Sequence, residues 1–517
     1  MLVPLLKSGF FPQELPPLFS TASYADYVKR NRKSLPSNFT MEKAEWSSAT
    51  HHNLVRVGGL RRRLSVPNPV GYFRLANAFD RNATVLQAKW NESTFSHTKP
   101  NLHSAGYRAL TPPNHDRATP RALARVGSNY LLRADIAQFY PSIYTHTIPW
   151  ALHSKEEAKA NIKNKALGGN VLDIELQACQ NGQTKGIAIG PDTSLGIAEL
   201  LLSRIDTRLK EDCNIKGGVR FIDDMEFGFQ KLADAEAALA RLEALLYEYE
   251  LQLNSNKTSI VELPDVVESP YVTQIRVCIP KSDEAPRSQW IDYFNTAFIL
   301  AKEFPRDGVL RYAISALQNI RVKTELWELV QSLLWQSISH DPGCIRFVID
   351  VLWLNIHYDE SLKLSKPMAK GALNSMIESS APVGHGSEVV WSIWAALLLK
   401  LKLSSQSQEA IATMEDSFVA VAAFVAKAHG VFASEFTSNT WEDWIEEGCF
   451  NGPHWLFAYE SYRRDWMKGK VKNAKLNGDL CCKFFKQGDV SFIDEDIISS
   501  YRPKRTRTPI HGLGGGY

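Results

Sequence analysis

The rhythm of apolar and polar positions changes twice along the chain. Residues 1–66 hold no sustained period, and residues 67–125 are broken by Pro, Asn and Gly, which predicts loops and short helices. From Tyr130 the pattern tightens, and YLLRADI predicts a short buried strand. Residues 150–185 read as helix or loop. Leu195 to Leu209 reads as a helix opened by Pro191, Asp192, Thr193 and Ser194, which suit a first helical turn. After Gly217 and Gly218, the run VRFIDDMEFGF alternates apolar Val219 and Phe221, then Met225, Phe227 and Phe229, with polar positions. That predicts two strands joined by an Asp223-Asp224 turn. Leu232 to Leu251 has helical spacing, and LQLNSNKTSIVEL returns to strand. After about residue 285 long apolar-periodic stretches alternate with short polar breaks. This predicts an all-helical region of stacked helix pairs, without a strict repeat length. Ten of the thirteen tryptophans lie there, from Trp290 to Trp466, and read as core.

Composition narrows the reading. A chain of 517 residues is long enough for about three domains. Hydrophobic content of 44% and charged content of 22% are those of a folded globular protein. The longest apolar run, Val389 to Leu399, is far shorter than a membrane span needs and reads as a buried helix. MLVPLLKSGFFPQELPP is too short in its apolar part, and too broken by proline, for a secretory signal. Net charge is +3, so nucleic acid would have to be met by local patches. Lys29, Arg30, Arg32 and Lys33 form one cluster, and Arg61, Arg62 and Arg63 another. Each could lie near a nucleic-acid backbone, and each reads first as a solvated face. Seven scattered cysteines without a CxxC pair exclude a disulfide framework and a zinc module, and fit a cytoplasmic setting. His51 and His52 have no other ligand cluster in view and read as surface residues.

Three segments carry chemistry. Asp135 closes an apolar strand, and Tyr140 follows five residues later. GIAIGPDTS, residues 186–194, is a glycine-bearing loop that opens a helix. Asp223 and Asp224 sit at the hairpin tip. Paired acids on a turn are ordinary, because Asp favours turns. Asp135 changes the balance, since a carboxylate ending an apolar strand is costly unless partnered. A divalent cation shared with Asp223 removes that cost, and Mg²⁺ leaves positions for water and phosphate. Two such ions clamp the attacking and leaving oxygens of a phosphoryl transfer. Tyr140 reads either as a core tyrosine or as a ring beneath the incoming sugar that excludes a 2′-hydroxyl. Lys257 reads either as solvated or as a point charge for a triphosphate.

In this order and spacing the segments resemble the reverse-transcriptase palm. The Asp135 segment resembles its motif A, GIAIGPDTS motif B, FIDD the YxDD-type motif C, and LQLNSNKT motif D. SIYTHTIPWAL, QTKGIAIGPDTS and SVPNP further resemble bacterial abortive-infection and defence-associated reverse transcriptases. The resemblance implies an α+β fold: fingers and palm followed by an all-α, helical-repeat-like C-terminal domain. It divides the chain into an N-terminal and fingers region (1–125), a palm (126–284), a helical domain (285–500) and a basic, Gly-rich tail (501–517). It implies catalysis by Asp135, Asp223 and Asp224, with two Mg²⁺ ions, replaceable by Mn²⁺, at Asp135, Ile136, Asp223 and Asp224. Tyr140, Gly190 and Lys257 become nucleotide contacts, with Arg121 and Arg133 as further candidates. Partners implied are deoxynucleoside triphosphates, a single-stranded DNA product, RNA and a second copy of the chain, with no membrane. Antiphage defence, synthesis without a template and priming from a protein tyrosine belong to members of that group. Tyr517, on its Gly514-Gly515-Gly516 leash, and Tyr144 are the candidate primers. Two departures stand out. Phe221 replaces the first tyrosine of YxDD, and Ala188-Ile189-Gly190 replaces the Pro-Gln-Gly of templated enzymes. Ile189 cannot hydrogen-bond as that glutamine does, which points to loose or template-independent synthesis. A templated, retron- or intron-like polymerase and a non-catalytic palm-derived scaffold are the competing readings.

Overall fold

The computed structural model describes residues 1–101, 108–110, 116–162, 164–281 and 284–503. Among the described residues six strands carry the β structure. β1 (Thr50–Val55) and β2 (Arg61–Val66) form an antiparallel hairpin, with Thr50 opposite Val66 and Val55 opposite Arg61. Its turn runs through Gly58 and Gly59, both at positive φ, where a side chain would be strained. β3 (Tyr130–Ala134), β4 (Gly217–Phe221), β5 (Asp224–Phe229) and β6 (Ser259–Glu262) form an antiparallel sheet in the order β4-β5-β3-β6. Tyr130 lies opposite Phe229 and Ala134 opposite Met225, so the ends of β3 and β5 meet. The helices Asp192–Asp212 and Leu232–Glu248 pack on one another, and the second also packs on β3 and β5.

The predicted hairpin of residues 217–229 forms, with its turn one residue earlier than expected. Ile222 and Asp223 make the turn, and Asp224 is already in β5, paired with Phe221. Ile222 carries the positive φ of 56° that a two-residue hairpin turn demands. Two stretches read as irregular contain regular elements. The β1–β2 hairpin lies in residues 1–66, and a 13-residue helix, Pro69–Arg81, lies in the segment expected to hold loops and short helices. Asn68 caps that helix by accepting from the Val70 N–H at 2.9 Å.

Among the described residues no strand follows Glu262, and the chain runs through successive helices to Ser500. Each packs on its near neighbours: Lys366–Ser380 on Gly386–Leu398, Gly386–Leu398 on Ser417–Ala428, and Ser417–Ala428 on Trp455–Arg464. Gly386–Leu398 is buried on every side, which explains why its sequence lacks a polar face. None of the described helices is long and apolar enough to cross a membrane. The first residues do not stand apart from this helical half. Phe10, Phe11 and Tyr24 pack with Trp455, Phe418, Phe485 and Phe492. The Ser20 N–H donates to the Phe492 carbonyl at 3.1 Å, and the Asp494 N–H to that of Leu18 at 2.8 Å. β1 also leans on the helical half: the Val55 N–H donates to Ser387 Oγ at 2.9 Å, and His52 Nδ1 pairs with Asp416 at 2.7 Å. His52 is therefore buried and structural, not a surface residue. The basic tail beyond residue 503, with Tyr517, lies outside the described residues.

Candidate active site

The pairing of β3 with β5 brings the carboxylates together. Asp135 follows β3, and Asp223 sits in the turn that precedes β5. Burial, followed by the charge of Asp135, pushes the Asp223 carboxyl up to about 7. Asp135 is cradled by the loop before β6. Its side chain accepts from Asn254 Nδ2 at 3.0 Å and Lys257 Nζ at 2.9 Å, and its carbonyl accepts from the Asn254 N–H at 2.7 Å. Lys257, read as a triphosphate contact or a solvated side chain, is instead the partner of Asp135.

Asp224 faces a different set of groups. Arg121 Nη2 reaches it at 2.6 Å and Arg117 Nη1 at 3.6 Å. Both guanidiniums also lie over the ring of Phe221, at 5.0 Å for Arg117 and 5.6 Å for Arg121. Arg121 Nε meets Glu226 at 3.2 Å. Arg133, across the sheet from Glu226, pairs with Asp265. The two arginines expected at a triphosphate are thus engaged with protein carboxylates. Among the described residues no three His, Cys, Asp or Glu side chains gather as a metal-binding group. Asp135 and Asp223 are brought together, and Asp224 is turned towards Arg121. The pair fits a hard divalent cation, because two oxygen donors that repel one another gain a shared partner. The side chain of Ile136 is buried, so this residue offers a cation only its carbonyl.

The remaining predicted positions scatter in role. Tyr140 is buried in the short helix Phe139–Ser142, and its carbonyl accepts from the Ile187 N–H at 3.0 Å. Gly190 has a φ of 130°, and a Cβ there would lie 2.4 Å from Pro12 Cγ, so it is pressed against the N-terminal segment. Its carbonyl accepts from Arg108 at 3.0 Å. The side chain of Ile189 is buried, and its carbonyl accepts from the Ser65 N–H at 3.0 Å, joining this loop to β2. Tyr144 is half-buried, edge-on to His146 and Trp150.

Residues 81–289 match the family model described as reverse transcriptase (RNA-dependent DNA polymerase). The chain carries a reverse transcriptase domain. It is an enzyme of the nucleotidyltransferase class, with the RNA-directed DNA polymerase domain. No curated protein matches the chain in sequence. Among solved structures, apo telomerase from Candida tropicalis is similar at 12% identity, covering 71% of this chain and 73% of its own, with a TM-score of 0.32. Telomerase from the same organism, in complex with a TWJ fragment of telomeric RNA, is similar at 12% identity over 77% of this chain and 67% of its own, with a TM-score of 0.29.

Behind the carboxylates the reverse transcriptase domain holds a buried polar network that the sequence reading missed. Arg220 is fully buried and donates to both oxygens of Glu199, at 3.1 and 3.0 Å, and to Asp206 at 2.8 Å. The same guanidinium donates to the Ile222 carbonyl at 3.0 Å, while the Ile222 N–H donates to Thr98 Oγ1 at 2.9 Å. Both backbone groups of the strained turn residue are thereby fixed. Thr98, Ser96 and Ser93 supply hydroxyls to Glu199 and Asp206. Burial pushes the Asp206 carboxyl up, against the pull of Arg220. The signal was available: an Arg amid apolar VRF, and two acids seven residues apart on one face of a helix, beside the apolar run LGIAELLL. Arg62, read in the sequence only as one of a basic cluster, takes a role of its own. Its neighbours Arg61 and Arg63 diverge from it, as strand alternation requires, and Arg61 pairs with Glu388 at 2.6 Å. Arg62 turns inward to where the charges of Glu14 and Asp223 act on it, and burial lowers its pKa.

Proposed function

We propose that the reverse transcriptase domain polymerises deoxynucleotides at Asp135 and Asp223. The observation that carries this is the placement of those carboxylates, one at a strand end and one on the adjoining hairpin turn, close enough that the charge of Asp135 raises the cost of ionising Asp223. The pair holds Mg²⁺, for which Mn²⁺ can substitute. Bound there, the metal supplies the positive charge that acidifies a primer hydroxyl and neutralises the leaving pyrophosphate. Asn254 and Lys257 orient Asp135, and Arg220 and Thr98 fix the turn that carries Asp223. Arg62 faces the pair from β2 and meets the triphosphate. The Arg121–Asp224 contact is part-exposed, so it is weak and exchangeable. An incoming triphosphate draws Arg121 away and frees Asp224 as the third carboxylate. Tyr140 bars the 2′-hydroxyl.

Synthesis is proposed to run without a template, supported by Ile189 where templated enzymes carry glutamine. Antiphage defence, self-association and priming from Tyr144 or Tyr517 rest on the resemblance to defence-associated enzymes. The test is incubation of purified protein with labelled deoxynucleotides and Mg²⁺, with and without primed template, beside Asp223→Asn. Label in the wild type alone, lost on chelation, supports the polymerase. Product without added template supports the template-free form, and strict need for template replaces it with the copying form. No incorporation under any condition removes the assignment. Mass spectrometry of tyrosine peptides after synthesis decides priming.

A further inference from the structure

A small cavity lies where the β1–β2 hairpin, the N-terminal segment and the helical half meet. Its charge balance is uneven. Arg56, Arg62, Arg311 and Arg346 line it, and Glu14 is the one carboxylate among its lining residues. Arg311 is neutralised by a two-pronged pair with Asp341, both bonds at 2.8 Å. Among the described residues neither Arg62 nor Arg346 forms a salt bridge or a hydrogen bond to a carboxylate. Arg346 has instead the ring of Phe347 at 4.4 Å. The fields of Glu14, Asp350 on its own helix and Cys344 favour the charge of Arg346, while burial and Arg311 oppose it. Half-buried cations without such a partner carry a cost, and an anion is the usual remedy.

The walls are built to hold these guanidiniums. Gly343 stands where a Cβ would lie 2.2 Å from the central carbon of Arg311, so any larger residue would displace that side chain. Trp391 closes the cavity and donates from Nε1 to the Glu14 carbonyl at 2.9 Å, holding the Glu14 backbone in place. The space is about 60 Å³, room for roughly four or five water molecules. That admits one tetrahedral oxyanion and excludes a nucleoside. Arg62 connects the cavity to the carboxylates, since it feels the charge of Asp223 as well as that of Glu14.

We propose that this cavity binds a single phosphoryl group, gripped by Arg346 from the helical half and by Arg56 and Arg62 from the hairpin. The group belongs either to a nucleoside triphosphate or to the backbone of a nucleic-acid strand that passes the carboxylates. In both cases the helical half supplies a cation to the polymerase substrate. The relation to the substrate rests on the proposed polymerase reading, whereas phosphate binding itself does not.

The experiment is a calorimetric titration of the full chain with inorganic phosphate, in metal-free buffer containing a chelator. Saturable one-site binding is expected, weakened at least about tenfold in Arg346→Gln, the loss of one charge-assisted contact. Glu14→Gln removes the competing carboxylate and tightens binding, a gain that a misfolded variant cannot give. Binding persists in Asp135→Asn/Asp223→Asn, which separates this site from the catalytic one. If that double variant binds phosphate and wild type makes no polymer, the polymerase reading fails and the site stands. Competition by thymidine triphosphate assigns the phosphate to a nucleotide. Competition by an oligothymidylate without terminal phosphate assigns it to a strand. Absence of saturable binding, or equal affinity in wild type, Arg346→Gln and Glu14→Gln, overturns the proposal.

Discussion

Arg220 shows how much one side chain can decide. It holds two buried carboxylates and the turn that carries Asp223. Arg220→Met leaves both acids without their cation, a loss of about 3–5 kcal/mol for a broken buried pair. Unfolding should register this as a lower midpoint. At temperatures where the variant stays folded, kcat should fall more than KM rises, because a displaced Asp223 harms chemistry more than binding. Equal stability and unchanged kcat would show that the network is dispensable. Tyr140→Ala is expected to increase ribonucleotide incorporation; an unchanged ratio of deoxy- to ribonucleotide use would remove the gate. At this scale the acids Asp135 and Asp223 were legible in the sequence, because a charge at the end of an apolar run is conspicuous. The partners of Lys257, Arg121 and Arg133 were not. Long basic side chains reach several ångströms in any direction, and only the fold says which carboxylate lies within range.

Strands and helices obey the same division. β3, the β4–β5 hairpin and the helix Leu232–Glu248 follow from local period, because each buries one consistent face. The β1–β2 hairpin escaped notice because THHNLV and RRRLSV mix a few buried apolar residues with polar ones held by specific partners, His52 by Asp416 and Arg61 by Glu388. The turn at Ile222 was misplaced by one residue, since Asp suits turns better than a β-branched residue does. The buried network overrides that preference. Gly217 and Gly228 face one another across β4 and β5. Their lack of side chains lets the helix Ala118–Ala124 lie on the strands, carrying Arg121 to Asp224. A Cβ at Gly217 would stand 2.3 Å from the Ala124 carbonyl oxygen. Gly217→Ala should therefore push this helix off the sheet, lowering the melting temperature and nucleotide incorporation together. Unchanged activity would mean that the helix does not serve the site.

Across the whole molecule, the seam between the hairpin and the helical half is the weak point in acid. Burial, aided by Arg63, lowers the imidazole of His51 to about 4, and burial does the same for His454. His454 also adds to the depression at His51, so the two face one another across the seam. Each folded value lies below the ordinary 6.5 of an unfolded chain. The unfolded state therefore binds more protons in that window, and stability is lost as pH falls from about 6.5 towards about 4. The loss should reach about 1–2 kcal/mol per imidazole by pH 5. Thermal melts between pH 7 and 5 should show it, and His51→Gln should flatten the slope; a parallel slope in the variant would assign the acid loss elsewhere. A fragment ending at residue 284 should be insoluble, because β1 and the Phe10–Tyr24 aromatics would lose their cover. A soluble, cooperatively melting fragment would show that the first half folds alone. None of this long-range packing could be read from one sequence, which records periods but not which distant faces meet.

The pairing of Leu18 and Ser20 with Phe492 and Asp494 also sets a schedule. A ribosome delivers the first of these segments long before the second. Until residue 494 has left the exit tunnel, Phe10 and Tyr24 lack the aromatics that cover them, and the hairpin bearing Arg62 lacks its seat. Synthesis itself thus acts as a timer. The nascent chain stays unfinished, and its nucleotide chemistry unassembled, until the helical half has followed.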